Sequence, residues 1–235
     1  MTHEEAVARL VGELDRAESA RAVVHGGDAY AERRAAFRAW QAARLARTHA
    51  DLLASARFGP AAQFFLTDLY GPQDISVHAA QVRRILPLMS RTLPATALDT
   101  VADAIELDAL SEELDSAMLS ALGDRVATMD GAAYAAAYRA IGHEPQRARQ
   151  IDLIDHLGRS LDKLTHQPFI GAALKMMRKP AEVAGLAALQ SFLERGYAAF
   201  RVMRGGSDFV DIVAERERAI SRALYAGDDS ALDGS

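Results

Sequence analysis

The chain has 235 residues, half of them apolar and a quarter charged, so it can bury a substantial core without covalent staples. It contains no cysteine, which excludes disulfides, cysteine-ligated zinc and thiol nucleophiles. A net charge of −5 argues against nucleic acid as a partner, and no apolar run approaches the ~20 residues that a membrane span needs.

The start, Met1-Thr2-His3-Glu4-Glu5, carries two acids and no following apolar segment, unlike a signal peptide, so a cytoplasmic location is expected. The 27 basic residues include only three lysines, Lys163, Lys175 and Lys179. With the abundance of alanine, that arginine excess is ascribed to GC-rich bacterial coding, and no guanidinium chemistry is read into it.

Helical periodicity runs along the whole chain, and no stretch shows sustained period-two alternation. Residues 3–24 form a first helix, stopped by Gly26-Gly27. Asp28 caps a second helix to about residue 57, with Tyr30, Phe37, Trp40, Leu45 and Leu52 on a broad stripe. Gly59 ends it and Pro60 opens a short helix, Phe64-Phe65-Leu66-Thr67-Asp68-Leu69-Tyr70, closed by Gly71-Pro72. Asp74 or Ser76 caps the next helix, whose face of Val82, Ile85, Leu86, Met89 and Leu93 is interrupted by Pro87. Leu98, Val101 and Ile105 give another stripe. A cap over 108–111 then separates it from a helix carrying Leu110, Leu114, Met118 and Leu122, with Glu112 and Glu113 in its first turn. Asp130 caps an Ala-rich helix bearing Tyr134, Tyr138 and Ile141, and these tyrosines, with Phe37 and Trp40, read as core aromatics. Pro145 opens a helix to residue 166, Pro168 one to 179, Pro180 one to 203, and Gly205-Gly206 precede a last helix to 226.

The expected fold is all-α: a bundle of about ten helices with short loops, one domain over 1–226. A break near 123–142 could divide it into two packed helical subdomains, and 227–235 is expected to be a disordered acidic tail.

Asp152, Asp155 and His156 have metal-like spacing, but they lie opposite the apolar stripe of their helix among Arg159, Asp162 and Lys163, so they are assigned to a solvated face and no metal site is expected. His78 falls on the inward face of its helix, either as a haem or metal ligand or as a neutral imidazole held by backbone partners. Arg216 also falls among apolar residues. Glu194 is its expected partner, with an anionic ligand as the alternative. No nucleotide-binding, nucleophile-elbow or paired Glu-x-x-His motif occurs, so no catalytic residue and no cofactor is assigned.

The run Phe64-Phe65-Leu66-Thr67-Asp68-Leu69-Tyr70-Gly71-Pro72 resembles the signature of an uncharacterised bacterial family named for an FFLEELY motif, departing from it at Thr67 and Asp68. Gln150-Ile151-Asp152-Leu153 and Phe192-Leu193-Glu194-Arg195-Gly196 also resemble that family. The resemblance implies an all-helical bacterial protein of unknown function and carries over no catalytic residue. Two functions are therefore expected. One is a non-enzymatic module that binds a protein partner or a second copy of itself, with Phe64, Phe65, Leu69, Tyr70, Gly71 and Pro72 as the interface. The other is a small-ligand or haem sensor with a cavity near His78.

Overall fold

The computed structural model describes residues 1–22, 27–69 and 76–232, and helices and the turns joining them make up all of it, with no strand among the described residues. In chain order the helices are α1 (His3–Ala22), α2 (Gly27–Thr48), α3 (Ala50–Ala54), α4 (Gly59–Phe64), α5 (Ser76–Thr92) and α6 (Ala95–Leu122). They continue with α7 (Gly131–Ile141), α8 (Glu144–Thr165), α9 (Ile170–Val183), α10 (Ala187–Met203) and α11 (Ser207–Ala226). A π-helical turn, Phe65–Leu69, extends α4, and 3₁₀ turns lie at Gly123–Thr128 and Asp229–Leu232. The expected caps Asp28 and Asp74 lie outside what is described, the first by its side chain and the second entirely.

The central element is α6, a single helix of 28 residues where the sequence suggests two. Apolar side chains are buried around its whole girth, including Leu98, Leu110, Leu114 and Met118, as expected of a helix enclosed by others. Its acids do not cap a new helix at 108–111. Most of them, Glu113 excepted, are buried or half-buried along the shaft, and arginines of the surrounding helices meet them. Arg9 of α1 donates to Asp99, to Asp103 at 2.5 Å and to Glu106 at 2.6 Å, and Arg16 holds both oxygens of Glu113 at 2.7 Å. Arg21 meets Asp108, while Arg34 and Arg38 of α2 converge on Glu112, Arg38 at 2.7 Å. From α8, Arg149 takes both oxygens of Glu106 at 2.7 Å. The arginine content set aside as a compositional accident is thus what joins α1, α2 and α8 to α6.

Three other boundaries move. The long second helix breaks at His49 into α2 and α3. Proline 180 lies inside α9 instead of opening the next helix, and the chain turns at Gly185, whose φ of +71° is left-handed. The tail is ordered as far as Leu232, which is buried against the Ala-rich helix α7 while Asp229 pairs with Arg139 at 2.5 Å, so disorder is not its state there. Asp130 does cap α7, accepting from the Ala133 amide at 2.8 Å. Tyr134 and Tyr138 are buried as core aromatics, with Trp40 stacked on Tyr134 at 4.6 Å. Gly59 is required by close approach, because a Cβ there would stand 2.8 Å from the Leu53 carbonyl oxygen.

Removing one member of a buried ion pair leaves its partners uncompensated. Glu112→Gln should therefore cost about 3 kcal/mol in urea unfolding, whereas Arg216→Gln, whose partner Asp51 is exposed, should cost under about 1 kcal/mol. Equal costs would deny the α6 contacts their structural role.

Candidate functional site

The motif helix is built into the core. Phe64 is buried between Phe192, at a ring separation of 5.3 Å, and Gly196, where a Cβ would come within 3.0 Å of its ring. Phe65 packs on Phe200 and Phe209, with ring centroids 5.9 and 5.7 Å away. Asp68, also buried, accepts from Arg195 Nε at 2.8 Å. Two of the three segments that carry the family resemblance, around Phe64 and around Phe192, therefore pack on each other. The Leu69 side chain and all of Tyr70, Gly71 and Pro72 lie outside the described residues.

Behind Phe65 and Leu66 the apolar clusters of α7 and of α10–α11 meet without closing, leaving a cavity of about 90 Å³. The third resembling segment reaches it through Gln150 and Ile151. Most of its wall is aliphatic and aromatic, but Arg44, His49, Arg147 and Glu217 also line it. The break between α2 and α3 brings in His49, whose Nε2 lies 3.1 Å from a Glu217 oxygen. Arg44 Nη1 donates to both Glu217 oxygens at 2.7 Å. Burial alone would raise the Glu217 carboxyl, but Arg44 and His49 outweigh it and hold it at about 2, against an ordinary 4.5. Tyr138 donates to Ser221 Oγ at 2.9 Å, and burial pushes its phenol up to about 12.

His78 is on α5, and its side chain lies outside the described residues; none of the described side chains of α5 lines this cavity. Arg216 does not meet Glu194. It donates to both oxygens of Asp51 at 2.6 and 2.8 Å and to the Thr48 carbonyl at 3.1 Å, a carbonyl freed where α2 ends. Glu194 instead faces α9, where Arg178 holds it at 2.7 Å. Asp152 pairs with Arg218 at 2.8 Å and Asp155 with Arg159 at 2.9 Å, on the expected solvated face, but His156 reaches the buried Asp103 at 2.8 Å. No group of three or more His, Asp or Glu among the described residues is arranged to hold a metal ion. Sequence patterning gave no sign of His49 or Arg147. His49 lies inside an unbroken helical pattern, and Arg147 sits in a polar first turn that reads as surface.

A second feature lies outside. Phe169, the residue that precedes α9, and Met176 and Val183 on it are 79%, 78% and 91% exposed. The inner side of α9 is fastened to α10 through Ala181, the Tyr197 ring against Gly171, and Gln190 donating to the Leu174 carbonyl at 2.6 Å.

These features define an all-helical bundle with an arginine-bound central helix, a polar-edged cavity and one uncovered helix face. The model of a domain of unknown function (DUF8198) matches residues 21–231, and the chain belongs to that family. No curated protein and no solved structure matches it.

Because the Glu217 carboxyl is depressed in the folded state, its stabilisation is complete above pH 4.5 and is lost as pH falls toward about 2. Burial raises the carboxyls of Asp108 and Asp115, which therefore act in the opposite sense. Urea unfolding over that window should show a shallower acid loss in Glu217→Gln than in the wild-type chain. Parallel curves would remove Glu217 from the pH dependence.

Proposed function

We propose that the chain is a non-enzymatic helical module that pairs with a second copy of itself through the outer face of α9. The supporting observation is the stripe of Phe169, Met176 and Val183, three large apolar side chains left in water. Soluble proteins seldom leave so much apolar surface together unless something covers it. Their spacing of seven puts them in one row along the helix. The row is also symmetric about Met176. A two-fold axis there sets Met176 against its own copy and Phe169 of one chain against Val183 of the other, as an isologous dimer requires. Lys175 and Lys179 border the row, where their stems can cover its edge while the ammonium groups stay in water. Methionine at the centre adapts to a facing surface.

Burying the stripe on both copies gains on the order of 10 kcal/mol, set against an association cost of about 4–15 kcal/mol, so the pairing should depend on concentration. Within the motif helix Phe64 and Asp68 are buried, which favours the face of α9 as the surface. Light scattering after size exclusion, over about 1 µM to 1 mM, should show the wild-type chain passing from monomer to dimer. Met176→Glu, which repeats a charge across the two-fold axis, should stay monomeric with unchanged helical circular dichroism. A wild-type monomer throughout, or a dimer indifferent to Met176→Glu, would overturn the reading.

A further inference from the structure

Arg147 is only 6% exposed and lines the cavity, yet no carboxylate of the described residues lies within ion-pair distance of its guanidinium. Its Nη1 donates to Gln150 Oε1 at 3.2 Å, and its plane sits over the Tyr138 ring at 4.9 Å. Gln150 is itself oriented, donating through Nε2 to Ser111 Oγ at 2.8 Å. The remaining nitrogens, Nε and Nη2, have no acceptor. These two form one edge of the guanidinium, with parallel N–H bonds spaced to match the oxygens of a carboxylate. A buried N–H donor without an acceptor is costly, and here the unsatisfied edge is the one with carboxylate-binding geometry. Of the neighbouring acids, Glu217 is held by Arg44 and His49. Asp115, whose carboxyl feels the charges of Arg38 and Arg147, lies 3.7 Å from Arg38 and accepts from Gln41 at 3.3 Å, and neither acid places an oxygen at the free edge of Arg147.

We infer that the cavity is a binding site for a small aliphatic carboxylic acid, its carboxylate held two-pronged on Nε and Nη2 of Arg147 and its chain against the aliphatic wall. Leu45, Ile151, Ile154 and Val213 supply that wall. A second polar contact is available at His49 Nδ1, which is buried and unpartnered. With Nε2 facing the Glu217 carboxylate, the ring proton belongs on Nε2, leaving Nδ1 as an acceptor for a hydroxyl on the ligand. Size limits the ligand to a short chain, since the cavity offers only about 90 Å³. Binding here is independent of the α9 face, since no residue of α9 lines the cavity.

Thermal unfolding of the full chain with butyrate, 3-hydroxybutyrate and butyramide tests the site. Butyrate at a hundredfold excess over its Kd should raise Tm by about 5 °C or more, and 3-hydroxybutyrate should do so at lower concentration, whereas butyramide, which lacks the charge, should not. Arg147→Met should abolish the carboxylate-induced shift without lowering the unliganded Tm. If that variant fails to fold, Val213→Phe, which fills the cavity from its aliphatic side, should abolish the same shift. No shift with either carboxylate, an equal shift with butyramide, or a shift surviving both substitutions would overturn the assignment and leave the cavity to water.

Discussion

The structure depends on how the acids of α6 are neutralised. A largely buried helix cannot carry ionised Asp103, Glu106, Glu112 and Asp115 unless each finds a partner, because an unpaired buried carboxylate costs more than a domain of this size can spare. Arginine suits that task better than lysine. Its planar fork can meet two carboxylate oxygens at once, as Arg149 does with Glu106 and Arg16 with Glu113, and it keeps its charge at any relevant pH. The three lysines are exposed at the end of α8 and on α9, outside this arrangement. The partition between the two cations therefore has a structural logic beyond base composition.

The same contacts decide where the cavity lies. Arg34 and Arg38 fix α2 against α6, and that register carries Arg44 and then His49 to Glu217 of α11. On the other side, Arg149 fixes α8 against α6, which brings Arg147 and Gln150 inward from the first turn and a half of α8. Two helices whose positions are set by α6 thus present their next polar residues to one space. Packing alone would have closed that space with apolar side chains. The π-helical turn at Phe65–Leu69 closes the remaining wall, and such turns often occur where a helix is adapted to a site.

The legibility of the sequence follows from these forces. Elements governed by local chemistry were readable: the Asp130 cap, the Tyr134–Tyr138 spacing, the Gly205-Gly206 stop and the all-helical class. Elements governed by distant charge were not. Residues 108–112 resemble an N-terminal cap because Asp, Ser and Glu favour such positions, and only Arg21, Arg34 and Arg38, remote in sequence, keep them helical. Arg216 was correctly recognised as needing a carboxylate, but the helix wheel of α11 alone could not favour Asp51 over Glu194, since the choice turns on where α2 ends. Pro180 was assigned to a helix start because proline tolerates that position, yet the left-handed φ at Gly185 sets the real boundary.

The position of α9 bears on what has shaped it. The helix buries Ala181 and half-buries Ile170 and Leu174, and Gln190, the Arg178–Glu194 pair and the Tyr197 ring hold it as well. An element so lightly attached gains nothing in fold stability from Phe169, Met176 and Val183 on its outer side, and polar residues there would lower the risk of aggregation. Stability within one chain therefore does not account for the stripe, and its symmetry about Met176 is unrelated to any contact that α9 makes in the monomer. That idle pattern in one copy is what carries the proposal of a self-pairing face on α9.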